Sequence, residues 1–351
     1  MKSMRLIGAA ALLAAGIAGS LVLTDPALAA GTKKIGVSWR HFQEERWKID
    51  EAGIKAAIEP AGFTYVSADA QADPVKQLTD VESLIASGVD ALIILAQDSK
   101  AILPALAQAK AAGIPVIAYD APIDTPDALF VSFDNVSVGR LMAKAMVDAQ
   151  PTGNWALIEG DAAHPIVQVF RKGQMEVLKS LIDAGKIKVV AQQNIENWRP
   201  DGAQAAVDQI LTANNNDVQA ILAMNDGMSG GAAAALAAQG LTKVALSGQD
   251  GDAAALNRIA KGLQTVTIWK NSMNLGEAAG KAAVELASGK TFREVTGAKT
   301  AKTESGADES AILLDPVAIT RNNLNAVVDA KWISKKALCE GVTGSAPAAC
   351  Q

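Results

Sequence analysis

The chain is poor in the side chains that carry much of enzyme and metal chemistry: its 351 residues include two histidines, two cysteines and only 4% aromatics. With His41 and His164 alone, and with neither C-x-x-C nor H-E-x-x-H, a zinc site lacks its ligands. Cys339 and Cys350 stand together near the C-terminus, so no disulfide framework knits the chain, and a chain this long buries a core without one. Positive charge is not in excess either. Against 37 Asp and Glu there are 32 Lys and Arg, a net charge of -5, which gives no electrostatic footprint for nucleic acid. Neither G-x-x-x-x-G-K-[ST] nor a strand-anchored G-x-G-x-x-G occurs, which removes the usual signal of a bound nucleotide cofactor. Gly227-Met228-Ser229-Gly230-Gly231 does match the G-x-S-x-G nucleophile pattern, but both histidines precede Ser229, so the order Ser, acid, His cannot be built. Those glycines are expected instead to let a helix start approach a ligand or a strand closely. No catalytic residue, metal or cofactor is expected.

Residues 1–29 read as a cleaved signal peptide: Lys2 and Arg5, an apolar run over 6–23, and Ala27-Leu28-Ala29 as the small-x-small site. An uncleaved membrane anchor is the alternative. Export predicts a periplasmic protein and an oxidising compartment, in which Cys339 and Cys350 are disulfide candidates that would tie down a tail over 339–351.

From Lys33 onward, short β-branched runs alternate with Ala-rich helical stretches, the pattern of βαβ units around a parallel sheet. Eleven strands are expected, from Lys34–Trp39 to Ile312–Leu314, with helices such as Pro74–Ala86, Val136–Ala149 and Asn274–Ala287 between them. That is too many for one open sheet, so the reading is α/β with two doubly wound domains, divided near Phe133–Asn135. In such sheets ligands bind beyond the carboxyl ends of the strands. The residues found there are Trp39-Arg40 with a loop from His41 to Trp47, Asp69, Gln97-Asp98, Asp120, Asp161, Asn197-Trp198, Asn225-Asp226, Gln249-Asp250 and Lys270. Acids, amides, cations and indoles together suit a neutral polyhydroxylated ligand, because carboxylates accept hydroxyl protons, cations donate, and an indole covers the C–H face of a sugar ring. Asp120, Asn225, Asp226 and Asp250 would serve equally as helix N-caps, Lys270 as a solvated surface charge, and Trp39 and Trp269 as core. Trp47 and Trp198, flanked by polar and charged residues, favour a binding surface.

Several of these segments, in this order, resemble a known family: Glu45-Arg46-Trp47, Ala118-Tyr119-Asp120, Ser132-Phe133-Asp134-Asn135, Phe170–Met175, Leu211–Asn216, Asn225-Asp226, Ser247-Gly248-Gln249-Asp250 and Leu314-Asp315-Pro316. They are similar to the periplasmic sugar-binding proteins of ABC importers, of ribose/galactose type, and among them to the D-xylose-binding group. The resemblance runs from about Lys33 to Asp329. It implies a type I periplasmic binding protein: two doubly wound parallel-sheet, Rossmann-like lobes joined by a three-strand hinge, closing on a monosaccharide and delivering it to a permease and ATPase. On that pattern residues 33–133 plus 272–312 form one lobe and 135–270 plus 314–338 the other. A monomer without nucleic acid partners is expected, with a chemoreceptor as a further partner. The resemblance marks Arg46, Asp120, Asn225, Asp226, Asp250 and Lys270 as hydrogen-bonding groups for the sugar, and Trp47 and Trp198 as ring contacts.

Two positions depart from the family pattern. The Arg that follows its Tyr-Asp pair is Ala121, and the Asn of the loop after the Trp155–Glu159 strand falls at Pro165 or Ile166. Ala121, His164, Pro165, Ile166 and Gln168 are therefore expected to set specificity, since an unpaired buried hydroxyl costs roughly 1–3 kcal/mol. A sensor of the same fold for a polyol, inositol or furanosyl signal molecule, and an exported glycosidase, are the rival readings.

Overall fold

The computed structural model describes residues 33–351 apart from Glu45 and Glu304; the expected signal peptide over 1–29 and its cleavage site lie outside the described residues. The first lobe begins with β1 (Lys34–Trp39), α1 (Arg46–Ile58), β2 (Thr64–Asp69), α2 (Pro74–Ala86), β3 (Ala91–Ile94), α3 (Leu103–Ala111), β4 (Val116–Tyr119) and β5 (Leu129–Phe133). The second holds α4 (Asn135–Ala149), β6 (Gly153–Glu159), α5 (Ile166–Asp183), β7 (Ile187–Asn194), α6 (Pro200–Ala213), β8 (Ala220–Ala223), α7 (Asp226–Ala238), β9 (Ala245–Gln249), α8 (Ala253–Lys261) and β10 (Val266–Trp269). The chain then returns through α9 (Ser272–Ala287), β11 (Lys299–Lys302) and β12 (Asp308–Leu314), and ends in β13 (Val317–Thr320), α10 (Asn325–Asp329) and α11 (Lys335–Leu338).

The strands form a seven-stranded sheet, ordered β11-β12-β5-β4-β3-β1-β2, and a six-stranded one, ordered β13-β10-β9-β8-β6-β7. All neighbours are parallel except the edge pairs β11 with β12 and β10 with β13. Central strands such as β3 (Ala91-Leu92-Ile93-Ile94) and β8 (Ala220-Ile221-Leu222-Ala223) are buried throughout, because helices cover both faces of a parallel sheet. β11 and β13 were not expected. Lys299-Thr300-Ala301-Lys302 is largely exposed and carries no apolar run, as an edge strand facing water allows.

The chain passes between the sheets three times. At Asp134 and at Asn271 the backbone takes nearly the same shape (φ -66°, ψ 90° and φ -66°, ψ 92°), and each side chain caps the helix that opens the other lobe, accepting from Ser137 N–H at 3.0 Å and Asn274 N–H at 3.2 Å. β12 runs on to Leu314, paired with Phe133, so the third passage lies at Asp315-Pro316, beyond the first-lobe boundary of 312 drawn from the sequence.

The loop expected over His41–Trp47 is shorter than that, since α1 begins at Arg46. Its buried face carries Arg46, Trp47, Asp50, Gly53 and Ile54, which does not register as an apolar repeat. Gly231 of α7 admits neither a ligand nor a strand: a Cβ there would lie 1.9 Å from the Pro200 carbonyl oxygen, so the glycine lets α7 lie against the start of α6. At the C-terminus Cys339 and Cys350 are joined by a disulfide. Leu338 and Ala349 bury with Leu256, Ile259 and Val327, while the Asn257 amide donates to the carbonyls of Leu338 and Glu340, both at 2.9 Å, so the tail is docked on α8.

Candidate functional site

Where the ends of the two sheets meet, Arg46 from the first turn of α1 is buried at the centre of a ring of carboxylates. Its guanidinium donates to Asp50 at 3.2 Å, to Asp120 after β4 at 3.0 Å, and across to Asp250 after β9 in the other lobe at 3.1 Å. Lys270, just past β10, lies 3.3 Å from Asp250 and 3.7 Å from Asp120. Burial works against the charge on Arg46, but Asp120, Asp50 and Asp250 outweigh it and hold its pKa well above the usual arginine value. Burial also opposes ionisation of Asp120, and there Arg46, Lys270 and Arg40 prevail, so its pKa falls. Asp50, which accepts from the Tyr119 hydroxyl as well as from Arg46, is pushed by burial up to about 6 and is still mostly ionised at neutral pH. Asp120 and Asp250 are held in the left-handed region (φ 58° and 99°), which turns both side chains off their strands toward the gap.

Indoles close two sides. Trp47 lies against both the Arg40 and Arg46 guanidinium groups, 5.1 and 4.3 Å from its ring, and its N–H donates to Glu44 at 2.5 Å. Trp198 ends a tight turn with φ of 58°, and its ring rests on Gly160, where a Cβ would be 2.0 Å from the indole. Its N–H donates to Nδ1 of His164 at 2.7 Å, and Arg40 of the opposite lobe approaches the same nitrogen at 3.2 Å. Nδ1 is thus an acceptor and the ring is neutral, which accords with burial and Arg40 lowering its pKa to about 4.

Arg46, Trp47, Asp120, Trp198, Asn225, Asp250 and Lys270 all line one small cavity of about 30 Å³, as do Ala121 and Ile166. That is room for about one water molecule. The side-chain oxygen of Asn225 caps α7 through Met228 N–H at 2.8 Å. Arg40, Glu44, Phe170 and Gln249 line the cavity too; the first, second and fourth belong to the strand-end set read from the sequence, but none of the four was among the expected sugar contacts. The first, second and fourth stand at or just after strand ends, where the strand-end rule reaches them; Phe170 lies one turn into α5 and gives no such signal. Buried without a hydrogen-bond partner are Arg40 Nε and Gln249 Oε1. The wall carries three cations, Arg40, Arg46 and Lys270, and three acids, Glu44, Asp120 and Asp250, a balance suited to a neutral polar ligand rather than an ion.

Asp226, expected among the sugar contacts, does not line the cavity. As the first residue of α7 it turns inward, where Oδ2 accepts from Thr267 Oγ1 at 2.6 Å and from the N–H groups of Gly251 and Asp252 at 3.0 Å, and Oδ1 from the Gln264 amide at 2.8 Å. Burial raises its pKa to about 7, against the pull of these donors. Its role is to hold the turn that carries Asp250. His164 is also set back, while Pro165 and exposed Gln168 line a separate groove of about 470 Å³ that shares Ile166 with the cavity. Ser229 is buried, with the Asn225 and Ser247 carbonyls as the two acceptors within reach of its single hydroxyl proton, and both histidines lie on other elements. Among the described residues no helix is long and apolar enough to cross a membrane, and no three His, Cys, Asp or Glu gather as metal ligands.

A family model for the periplasmic binding protein domain matches residues 35–291. The chain belongs to the periplasmic binding protein family. It is 39% identical over 311 residues to the D-xylose-binding periplasmic protein of Escherichia coli K12, covering 88% of this chain and 93% of that one. To a multiple sugar-binding periplasmic receptor of Rhizobium radiobacter it is 32% identical, over 90% of this chain and 95% of that one. A carbohydrate transporter solute-binding protein from Chloroflexus aurantiacus, solved in complex with D-glucose, superposes with a TM-score of 0.79 at 29% identity, over 87% of this chain and 98% of that chain. The fold is accordingly that of a type I periplasmic binding protein, and the family consists of solute-binding proteins.

Proposed function

We propose that this protein captures a neutral monosaccharide, D-xylose or a related aldose, between its two lobes and delivers it to the permease and ATPase of an ABC importer. The observation that carries this reading is the pair of charged bridges between lobes at the cavity, Arg46 to Asp250 and Lys270 to Asp120, on a wall whose charges cancel. In a hydrogen-bonded ring of this kind a sugar's hydroxyls insert between cation and carboxylate, donating to one and accepting from the other, so both lobes gain partners only when they close together. The cavity is smaller than a sugar, so the ligand enters as the lobes part. Arg46, Asp120, Asn225, Asp250 and Lys270 are its hydrogen-bonding partners, and Trp47 and Trp198 flank its ring. The protein works as a periplasmic monomer after removal of residues 1–29, and it performs no catalysis on the bound sugar.

Calorimetry on residues 30–351 with pentoses, hexoses, polyols and inositols tests this. Saturable one-to-one binding of a monosaccharide is expected, and ligand at 100 times its Kd should stabilise the fold by about 2.7 kcal/mol. Silence across the whole panel, or release of sugar from oligosaccharides, would overturn it.

A further inference from the structure

The charged groups of the cavity wall are already bonded among themselves. Arg46 donates from all three guanidinium nitrogens, to Asp50, Asp120 and Asp250, and Lys270 lies beside two of the same acids. A hydroxyl bound there replaces an existing bond, so its gain is only a difference. Gln249, the last residue of β9 and 3% exposed, lines the cavity on other terms. Its Oε1 is buried without a partner, and its Nε2 donates to no described residue. Buried glutamines away from the cavity are bonded at both ends of the amide. Gln77 donates to Ser38 Oγ at 3.1 Å and to the Leu95 carbonyl at 2.8 Å, and accepts from Gln97 N–H at 2.7 Å. Gln264 donates to Asp226 at 2.8 Å and accepts from Arg258 at 3.0 Å. A buried amide left unbonded destabilises the fold until some other group completes it.

We infer that Gln249 is a further sugar-binding residue, its amide accepting from one hydroxyl of an aldose and donating to the neighbouring one. This deepens the sugar-binding reading and rests on it. An amide carries an acceptor and a donor side by side, which matches two adjacent hydroxyls of a sugar ring, one giving its proton and the other receiving one. Because Gln249 has no protein bond to surrender, each bond it makes to the sugar is a net gain, unlike those of Arg46 or Asp120.

Calorimetry with D-xylose, D-glucose, D-galactose and L-arabinose, each beside its monodeoxy derivatives, tests this on the unaltered protein and on Gln249→Met, which keeps the side chain's length and removes both polar atoms. The variant should bind the preferred sugar about tenfold more weakly. At two neighbouring ring positions, the loss of affinity on deleting a hydroxyl should be present in the unaltered protein and absent in the variant. Without sugar, the variant's unfolding midpoint in denaturant should be no lower, since only an unbonded amide has gone. Equal affinity in the variant, or the same deoxy penalties in both proteins at every position, would overturn the inference while sugar binding stands. Unchanged penalties together with a lowered midpoint would overturn it too, and would make Gln249 a positioning residue for Asp250. If none of the four aldoses binds the unaltered protein, the sugar-binding reading fails and this inference with it.

Discussion

Two buried acid sites, linked through the turn at Gly251 and Asp252, are held in opposite ways in this molecule. Asp120 and Asp250 face the gap between lobes with cations for partners, so burial is overcome at Asp120 and its pKa falls. Asp226, beside Asn225 at the start of α7, is met by four neutral donors, and burial wins, raising its pKa to about 7. Hydrogen bonds from neutral groups thus place a carboxylate without fixing its charge, while cations do both. The first arrangement suits exchange with a ligand, since a hydroxyl can replace one ionic partner. The second suits a scaffold, since both oxygens are already engaged and Oδ2 holds the turn that follows Asp250.

The sharpest way to break the comparison is Arg46→Ala, which strands Asp50, Asp120 and Asp250 together without their shared cation. It should cost about 3–5 kcal/mol of stability in denaturant unfolding and abolish sugar binding; an unaltered midpoint would mean that the ring stabilises nothing. Asp226→Asn should cost less, about 2 kcal/mol, by turning an amide N–H₂ toward groups that are themselves donors. Its pH dependence carries a definite sign. Because the folded pKa of Asp226 lies above its unfolded value, the native protein loses stability as pH rises from about 4 to about 7. The Asn variant lacks that loss, so the gap between the two proteins should narrow over the same interval; a constant gap would show that the carboxylate ionises normally. The smallest effect is expected at the bridge between Arg40 and His164. The folded pKa there is lowered from 6.5 to about 4, so its contribution is complete above pH 6.5 and is lost as pH falls toward 4. Relative to His164→Asn, the unaltered protein should lose about 1 kcal/mol by pH 5.5. Parallel unfolding curves for the two would remove His164 as a pH-sensitive contact.

Much of the fold was legible because parallel strands buried on both faces announce themselves as apolar runs; β1, β8 and α2 occupy the ranges expected from the sequence. What escaped lay where burial and apolarity part company. β11 and β13 sit at edges and need no apolar run, and α1 buries an Arg, a Trp and an Asp on its inner face. The site shows the same division. Rules about strand ends find Asp120, Asn225, Asp250 and Lys270, because position after a strand fixes which end of the sheet a residue occupies. They misplace Asp226, because one further step along the helix turns a side chain by roughly 100° and nothing in the sequence shows which way. The same limit applies to Phe170, whose place on the wall depends on how α5 is rotated.

The three passages between lobes also impose an order in time. β5 is closed off by β12, some 180 residues later in the chain, and β10 by β13. A ribosome delivers those partners near the end of synthesis, so neither sheet can be finished while most of the chain already exists, and contacts this distant form slowly. Until then both β5 and β10 remain open edges able to pair with another chain. The residues that line the pocket, from Arg40 to Lys270, all precede β12 and β13, so each sheet closes its last edge only after the whole pocket wall has been made.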